Sequence, residues 1–395
     1  MNALVSESGQ LPRDGVSVAQ TPKEIEALRD FWQANAWHPR MDLDVFLSQC
    51  QGTPTSCPYV LRVFRNGALT GILAGRLEET PFEVKLGYWS CWKPKLHALT
   101  IPYAGVLGDF SLPNAQTACR QLLAILRRGE AEAVLLDWVP INSDLFKVAR
   151  SMPIVCWRNA FFRSNPHWKI NLPRQADEIW NHSHHRRAWV RRIFKRIETD
   201  FPGKVNYRFF KDPGEVEEMC RDAELVAAKS YQRGLGVGFT DNSDSRERLL
   251  RYAQIGILRA CMLFVDGTPK AFWIGSVYKQ RFFSAYLAHD PGLEKYEIGS
   301  LVFIKLLGTL CAEGARQVDL GQGEGFYKQR FADVCEEEAC LYMLSPSVRS
   351  LLLNAGFNAG EALALSARKT LASLNVLQSL KTKWRRRIIK KSDDE

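Results

Sequence analysis

Apolar and polar positions form matching patterns in two stretches two hundred residues apart. YVLRVFRNGALTGILAG (59–75) and RACMLFVDGTPKAFWIG (259–275) each read as two apolar strands around a two-residue turn, Asn66-Gly67 in one and Asp266-Gly267 in the other. Both dipeptides tolerate the positive φ of a type I′ turn, so the pattern predicts two β-hairpins. Phe64 and Phe264 precede the turns at the same distance, and Gly75 and Gly275 follow them at the same distance.

Two further pairs fall in the same order. SVAQTPKEIEAL (17–28) and RFFKDPGEVEEM (208–219) each run from a strand-like segment into a helix start. Thr21 or Asp212 is placed as N-cap, Pro22 or Pro213 as the first helical residue, and Glu24 or Glu215 at the third. Proline costs nothing there because that N–H is unpaired in any case, and a carboxylate favours the positive helix end. LLAILRRGEAEAVLLDW (122–138) and LLGTLCAEGARQVDLGQ (306–322) each carry a helical apolar pattern to a C-cap glycine, Gly129 or Gly314, then a strand ending near Asp137 or Asp319. Each half therefore reads strand, helix, hairpin, further strand, helix, strand. The expected fold class is α/β, two mixed sheets flanked by helices and arranged in tandem. The expected bounds are 1–170, a basic connecting helix at 171–202, a second domain at 203–345, and a helical basic tail at 346–395.

Between the halves, residues 175–200 carry Trp189, Ile193 and Ile197 at four-residue steps, which predicts one long helix with arginines flanking its apolar stripe. Composition bounds the rest. The chain has 395 residues, 46% of them apolar, enough for two cored domains. No window holds eighteen consecutive apolar residues, and MNALVSESGQLPRDG is no signal sequence, which points to the cytoplasm. The ten cysteines include no C-x-x-C pair and read as reduced thiols. His182, His184 and His185 lack the i, i+4 register of a metal pair, so no metal is expected.

The net charge of +10 lies in two places. Residues 181–196 hold six Lys/Arg and residues 381–391 hold seven; without those thirteen, 40 basic residues face 43 acidic ones. Local contact with anionic partners follows. For 181–196 the candidates are an anionic acceptor, such as a sugar nucleotide or lipid-linked glycan, a tRNA, or plain solvent. For 381–391, with Trp384 among its bases, they are an anionic membrane surface, which would make the protein peripheral at the inner face, or a solubilising tail.

Where the halves diverge, chemistry becomes readable. The second half inserts AYLAHDPGLEKYEIGSLVFIKLL (285–307), in which a strand ends at His289-Asp290-Pro291 and Gly299-Ser300 open an apolar helix. Free N–H groups at such a start suit a pyrophosphate; Gly299 equally suits close helix–strand packing. The first half has GDFSLPNAQTACRQLL (108–123) instead, without the Gly-Ser entry. Downstream, VDLGQGEGFYKQRF (318–331) is rich in glycine, but it has neither P-loop nor dinucleotide spacing. It reads as a strand followed by a flexible, close-approach loop that brings Glu324, Tyr327 and Lys328 to reacting groups.

Asp290-Pro291, Gly299, Gly314, Asp319-x-Gly321-x-Gly323 and Tyr327-Lys328 together resemble the tandem GNAT-fold acetyltransferases related to FemAB, closest to the CelD/BcsL-type branch tied to exopolysaccharide synthesis. The likeness is most specific over 285–331, looser over 160–345, and reaches the first half through the repeat. It implies an acyl-CoA donor, acetyl-CoA above all, held around Tyr296, Ile298, Gly299, Ser300 and Leu301. Relatives often carry Ser-Pro-Gly before that helix where this chain has Glu297-Ile298-Gly299, which sets a carboxylate beside the anion site.

Direct attack of an amine on a thioester needs a base, an oxyanion donor and an acid for the thiolate. Tyr327 is the candidate acid, or a packing tyrosine. His289 is the candidate base or a structural histidine, with Glu324 its rival. Lys328 is a candidate for an acceptor carboxylate or a phosphate, or a surface lysine; Trp273, Tyr286 and Arg186 complete a candidate acceptor groove, with core packing the default for Trp273. The leading expectation is N-acyl transfer to an amino sugar or glycan intermediate. The alternatives are FemAB-like aminoacyl transfer from tRNA to a peptidoglycan precursor, and a non-catalytic scaffold at a membrane.

Overall fold

The computed structural model describes residues 13–51, 56–86, 89–175, 178–179, 184–230, 233 and 238–373. The tail at 381–391 and positions 181–183 of the basic stretch lie outside the described residues. The chain divides into two compact units. One holds the residues up to Pro166 together with Glu336–Ser373, and the other holds His167–Cys335.

In the second unit the strand order is Val205–Phe210, Leu258–Val265, Thr268–Tyr278, Arg281–His289, Gln317–Gln322, Ser164–Asn171. The first four run antiparallel, joined in the middle by the predicted hairpin, whose turn residues Asp266 and Gly267 have φ of 52° and 72°. Gly275 is needed for space, because a Cβ there would stand 2.3 Å from the Phe282 ring and from the Phe283 carbonyl oxygen. Asp212 and Glu215 form the predicted capping box, which opens a short 3-10 turn that continues as the helix Val216–Ala227. That helix and Ser243–Gln254 cover one face of the sheet. The basic helix His184–Asp200 and the helix Ile298–Ala312 cover the other, with Trp189, Ile193 and Ile197 buried as their spacing predicts. Burying Ile193 and Ile197 contributes about 1.5–3 kcal/mol each.

The first unit repeats this plan. Its strand order is Gly15–Ala19, Cys57–Arg65, Ala68–Pro81, Lys95–Ile101, Ala133–Pro140, Val334–Leu344. Thr21 and Glu24 form a capping box at Pro22–Glu26. Asn66 and Gly67 make the hairpin turn at φ of 50° and 79°. Both hairpins even carry a register irregularity at the same place, Val63/Phe64 and Leu263/Phe264. Gly75 is as tightly placed as its counterpart, with the Ile101 Cδ1 2.5 Å from where a Cβ would go. Gly129 and Gly314 end their helices with φ of 74° and 83°.

Two boundaries differ from the expected ones. The basic helix is not a separate connector, because its apolar stripe is part of the second unit's core. The second domain was expected to run to residue 345, yet Glu338–Leu344 pairs antiparallel with Ala133–Pro140 of the first unit. Alternation along a strand fixes which residues face a core but says nothing about which partner strand is used.

Candidate functional site

The site begins where two parallel strands part. Arg281–His289 and Gln317–Gln322 are linked by the helix Ile298–Ala312 and pair over only three rows, ending at Phe283 with Asp319. Past that row they share no pairing, so residues 284–289 and 320–322 diverge. In sheets of this kind ligands bind at the carboxyl ends of parallel strands. In the first unit the corresponding strands pair over four rows, Ala98 with Ala133 to Ile101 with Leu136. There the chain folds back as a short strand, Val106–Gly108, on Gly71–Leu73.

The helix starts of the two units differ in the same sense. In the first unit the Asp109 carboxylate accepts from the Ser111 N–H at 2.9 Å and from Asn114 Nδ2 at 3.1 Å, so a built-in anion caps the start of Leu112–Arg128. At Ile298–Ala312 the N-cap residue Glu297 makes no side-chain cap, and among the described residues no other side chain supplies one. The preceding Glu297 has a left-handed backbone, φ 53°, and its carboxylate turns to the Trp189 indole N–H at 3.0 and 3.1 Å. It also pairs with Arg330 at 3.6 Å, while that guanidinium lies 3.8 Å over the Trp189 ring. The carboxylate beside the expected anion site is therefore engaged with Trp189 and Arg330. The N–H groups of Ser300 and Leu301 donate to the Glu297 carbonyl at 2.8 and 3.2 Å, so at the positive helix end it is the N–H groups of Ile298 and Gly299 that can meet a ligand.

The glycine-rich stretch is a held loop rather than a flexible one. Asp319 Oδ1 accepts from the Gly321 N–H at 2.8 Å and lies 2.7 Å from His167 Nε2, with both side chains buried. Lys328 donates to the carbonyls of Gly321 and Gln322 at 3.2 and 2.8 Å, and the Trp168 indole donates to that of Gly323 at 3.1 Å. Gly321 and Gly323 have φ of 71° and 93°, and a Cβ on either would meet nothing within 4 Å. Glycine is required there for backbone conformation, not for close approach. The register slips between Asp319 and Gln322 against Lys169 and His167, a bulge that re-aims the strand end.

His289 lies at the end of its strand with its ring against Gly299, whose Cβ would be 3.4 Å from Nδ1. That is the helix–strand packing anticipated for this glycine, and it also puts the candidate base at the helix start. Burial lowers the His289 pKa below its ordinary 6.5, against opposing pulls from Glu294 and Asp290. Asp290 caps the turn Pro291–Tyr296 and binds Lys270 at 3.1 Å and Lys229 at 3.4 Å. Glu324 is exposed on the loop. Tyr327 is half-buried, its ring edge-on to Phe303 at 6.3 Å.

Several expected side chains are placed differently. Lys328 is no surface lysine; it is buried, desolvation pulls its pKa down to about 8, and its ammonium is engaged with the two loop carbonyls. Tyr296 is buried and its hydroxyl donates to Asp200 at 2.7 Å. Ile298 and Leu301 are core residues, so of the donor set Gly299 and Ser300 face outward in part, and the buried three can offer only backbone. Trp273 is core, stacked 4.5 Å from Phe303 and donating to Ser284 Oγ at 2.6 Å. Tyr286 lies on the opposite face with Phe239 and beside Arg248, so Trp273 and Tyr286 do not share a groove. Arg186 donates to the Arg330 carbonyl at 2.9 Å, at the end of the short helix Phe326–Phe331. His167, Trp168 and Arg330 were not singled out from sequence; the partners of His167 and Trp168 and the ring beneath Arg330 lie more than a hundred residues away, which leaves no local signal.

This arrangement of parting parallel strands and an uncapped helix start lies within residues 184–329, which match the family described as acetyltransferase (GNAT) domain. Most of the second unit is thus similar to a GNAT domain. The chain shares its fold with FemX, at 11% identity over 85% of this chain and 100% of that one, with a TM-score of 0.57. That likeness, at 11% identity, is one of fold. Looser likenesses include L-PGS from Bacillus licheniformis, 13% identical over 86% of this chain and 98% of that one, TM-score 0.49. A tandem GNAT protein from the clavulanic acid biosynthesis pathway is 9% identical over 84% and 99%, also with a TM-score of 0.49. No curated protein matches the chain.

Proposed function

We propose that the chain is an N-acyltransferase that takes its acyl group from acyl-CoA, acetyl-CoA first, and gives it to the amine of an amino sugar or glycan intermediate in exopolysaccharide or envelope synthesis. The observation that carries this reading is the helix start at Ile298, which no side chain caps among the described residues, beside two parting parallel strands. The donor pyrophosphate would lie at the helix start beside Gly299 and Ser300, against the N–H groups of Ile298 and Gly299. The acceptor nitrogen attacks the thioester carbonyl, the C–N bond forms, and the C–S bond breaks. His289, neutral near pH 7 because burial lowers its pKa, takes the ammonium proton, with Glu324 the rival acceptor of that proton. The Tyr327 hydroxyl gives a proton to the leaving thiolate. Lys328, with Asp319 and Trp168, holds the loop on which Glu324 stands.

A second reading, aminoacyl transfer from tRNA to a peptidoglycan precursor, is favoured by one feature. Arg187, Arg191, Arg192 and Lys195 are exposed on the basic helix, and no ion pair engages them among the described residues. Thiol release from acetyl-CoA in the presence of amino sugars tests the first reading. Tyr327→Phe is expected to lower turnover by about 10²-fold with donor affinity kept. Absence of thiol release, together with salt-sensitive tRNA binding lost in Arg187→Ala/Arg191→Ala, would favour the second.

A further inference from the structure

The helix Val348–Ser373 has one packed face and one bare one. On the packed face Leu353 and Asn354 are buried, and Phe357 lies 5.5 Å from Phe82 and 4.9 Å from Tyr342. Asn354 also donates to the carbonyls of Val155 and Cys156, and Glu361 is forked onto Arg163. The opposite face carries Val348, Leu352, Ala355, Ala359 and Leu363 at helical spacing, all exposed. Val348 is 76% exposed, Leu352 63% and Leu363 58%. Ile154 and Val155 are also exposed, on the turn that Asn354 of the packed face holds. Of thirteen exposed large apolar side chains among the described residues, six fall on this helix or that turn. Surface apolar residues scattered singly need no explanation, but a continuous stripe does.

Charge selects the occupant. From Val348 to Lys391 the sequence carries ten Lys/Arg and a single acid, Glu361; Glu361 is bound by Arg163 and Arg349 by Glu132, and seven of the ten bases belong to the stretch 381–391 outside the described residues. A second copy of this chain would bring the same positive charge against it, which opposes self-association. Among the described residues no helix is long and apolar enough to cross a membrane. A helix with an apolar stripe and basic sequence around it suits the plane of an anionic bilayer, where apolar insertion and a basic run act together.

We propose that the exposed face of Val348–Ser373 docks on the surface of an anionic phospholipid bilayer, with Val348, Leu352 and Leu363 entering the boundary between headgroups and acyl chains. The inference is independent of the acyl-transfer reading, since it concerns the first unit and not the site at Gly299. The full chain is co-sedimented with vesicles of phosphatidylcholine alone and of phosphatidylcholine with phosphatidylglycerol. Binding to the anionic vesicles only, weakened by salt, is expected. Leu352→Glu/Leu363→Glu should weaken it at least about tenfold, since each change replaces an inserted apolar side chain with a carboxylate facing an anionic surface. The melting temperature and transfer to a soluble acceptor should stay unchanged, because both side chains are exposed. Equal binding to both vesicles, binding to neither, or full binding by the double variant overturns the proposal. So does a dimer in solution that the double variant converts to monomer, which would assign the face to a second copy.

Discussion

His167 and Asp319 meet in the interior of the second unit, Nε2 2.7 Å from Oδ1, although 152 residues separate them. The same Oδ1 accepts from the Gly321 N–H, so one carboxylate ties the strand Ser164–Asn171 to the loop after Gln317–Gln322. Removing one partner leaves the other buried and polar. His167→Ala is expected to cost about 3 kcal/mol in urea denaturation. In a double-mutant cycle with Asp319→Ala the coupling should be about 1–3 kcal/mol. Strict additivity would mean that the pair does not hold the loop.

Lys328 gives a pH signature. Its folded pKa is about 8 against an ordinary 10.5, so between those values the unfolded chain binds the extra proton. Stability linked to this residue is therefore fully present above about pH 10.5 and lost as pH falls through about 8. The shift corresponds to about 3 kcal/mol at most. The stability difference between the wild type and Lys328→Met should change in the wild type's favour as pH rises across that window. A difference that stays flat with pH would return Lys328 to solvent.

His289 should titrate below 6.5, because burial disfavours its charged form. The stability linked to this imidazole is present above pH 6.5 and lost as pH falls through the lowered folded value. If it is the base, the acid limb of kcat/KM lies below 6.5 and disappears in His289→Gln, and NMR of the imidazole gives the same midpoint. An unchanged limb in the variant would transfer the role to Glu324.

The duplicated plan was legible because it rests on local chemistry. Asn66-Gly67 and Asp266-Gly267 have the positive φ that their turns require, and the capping boxes at Thr21 and Asp212 use residues three apart. In the candidate site, the sequence located the helix start at Gly299 and the strand end near Asp319, but not the surroundings of the side chains. Tyr296 and Trp273 carry polar atoms that suit ligands, yet Asp200 and Ser284 satisfy them inside the core. The partner of Val334–Leu344 and the burial of Lys328 depend on contacts that a window along the chain does not contain.

Donor binding at Gly299 is the central claim, and calorimetric titration of acetyl-CoA into three proteins tests it most directly. Wild type should bind. Glu297→Gln keeps an acceptor for the Trp189 N–H and removes a negative charge near the helix start, so it should bind about two- to fivefold more tightly, from ~0.3–1 kcal/mol of helix-end electrostatics. Gly299→Glu adds a carboxylate where the pyrophosphate would lie, and should lose affinity by at least about tenfold. No heat from the wild type with acetyl-CoA or longer acyl-CoAs, or equal affinity in all three proteins, would contradict the account.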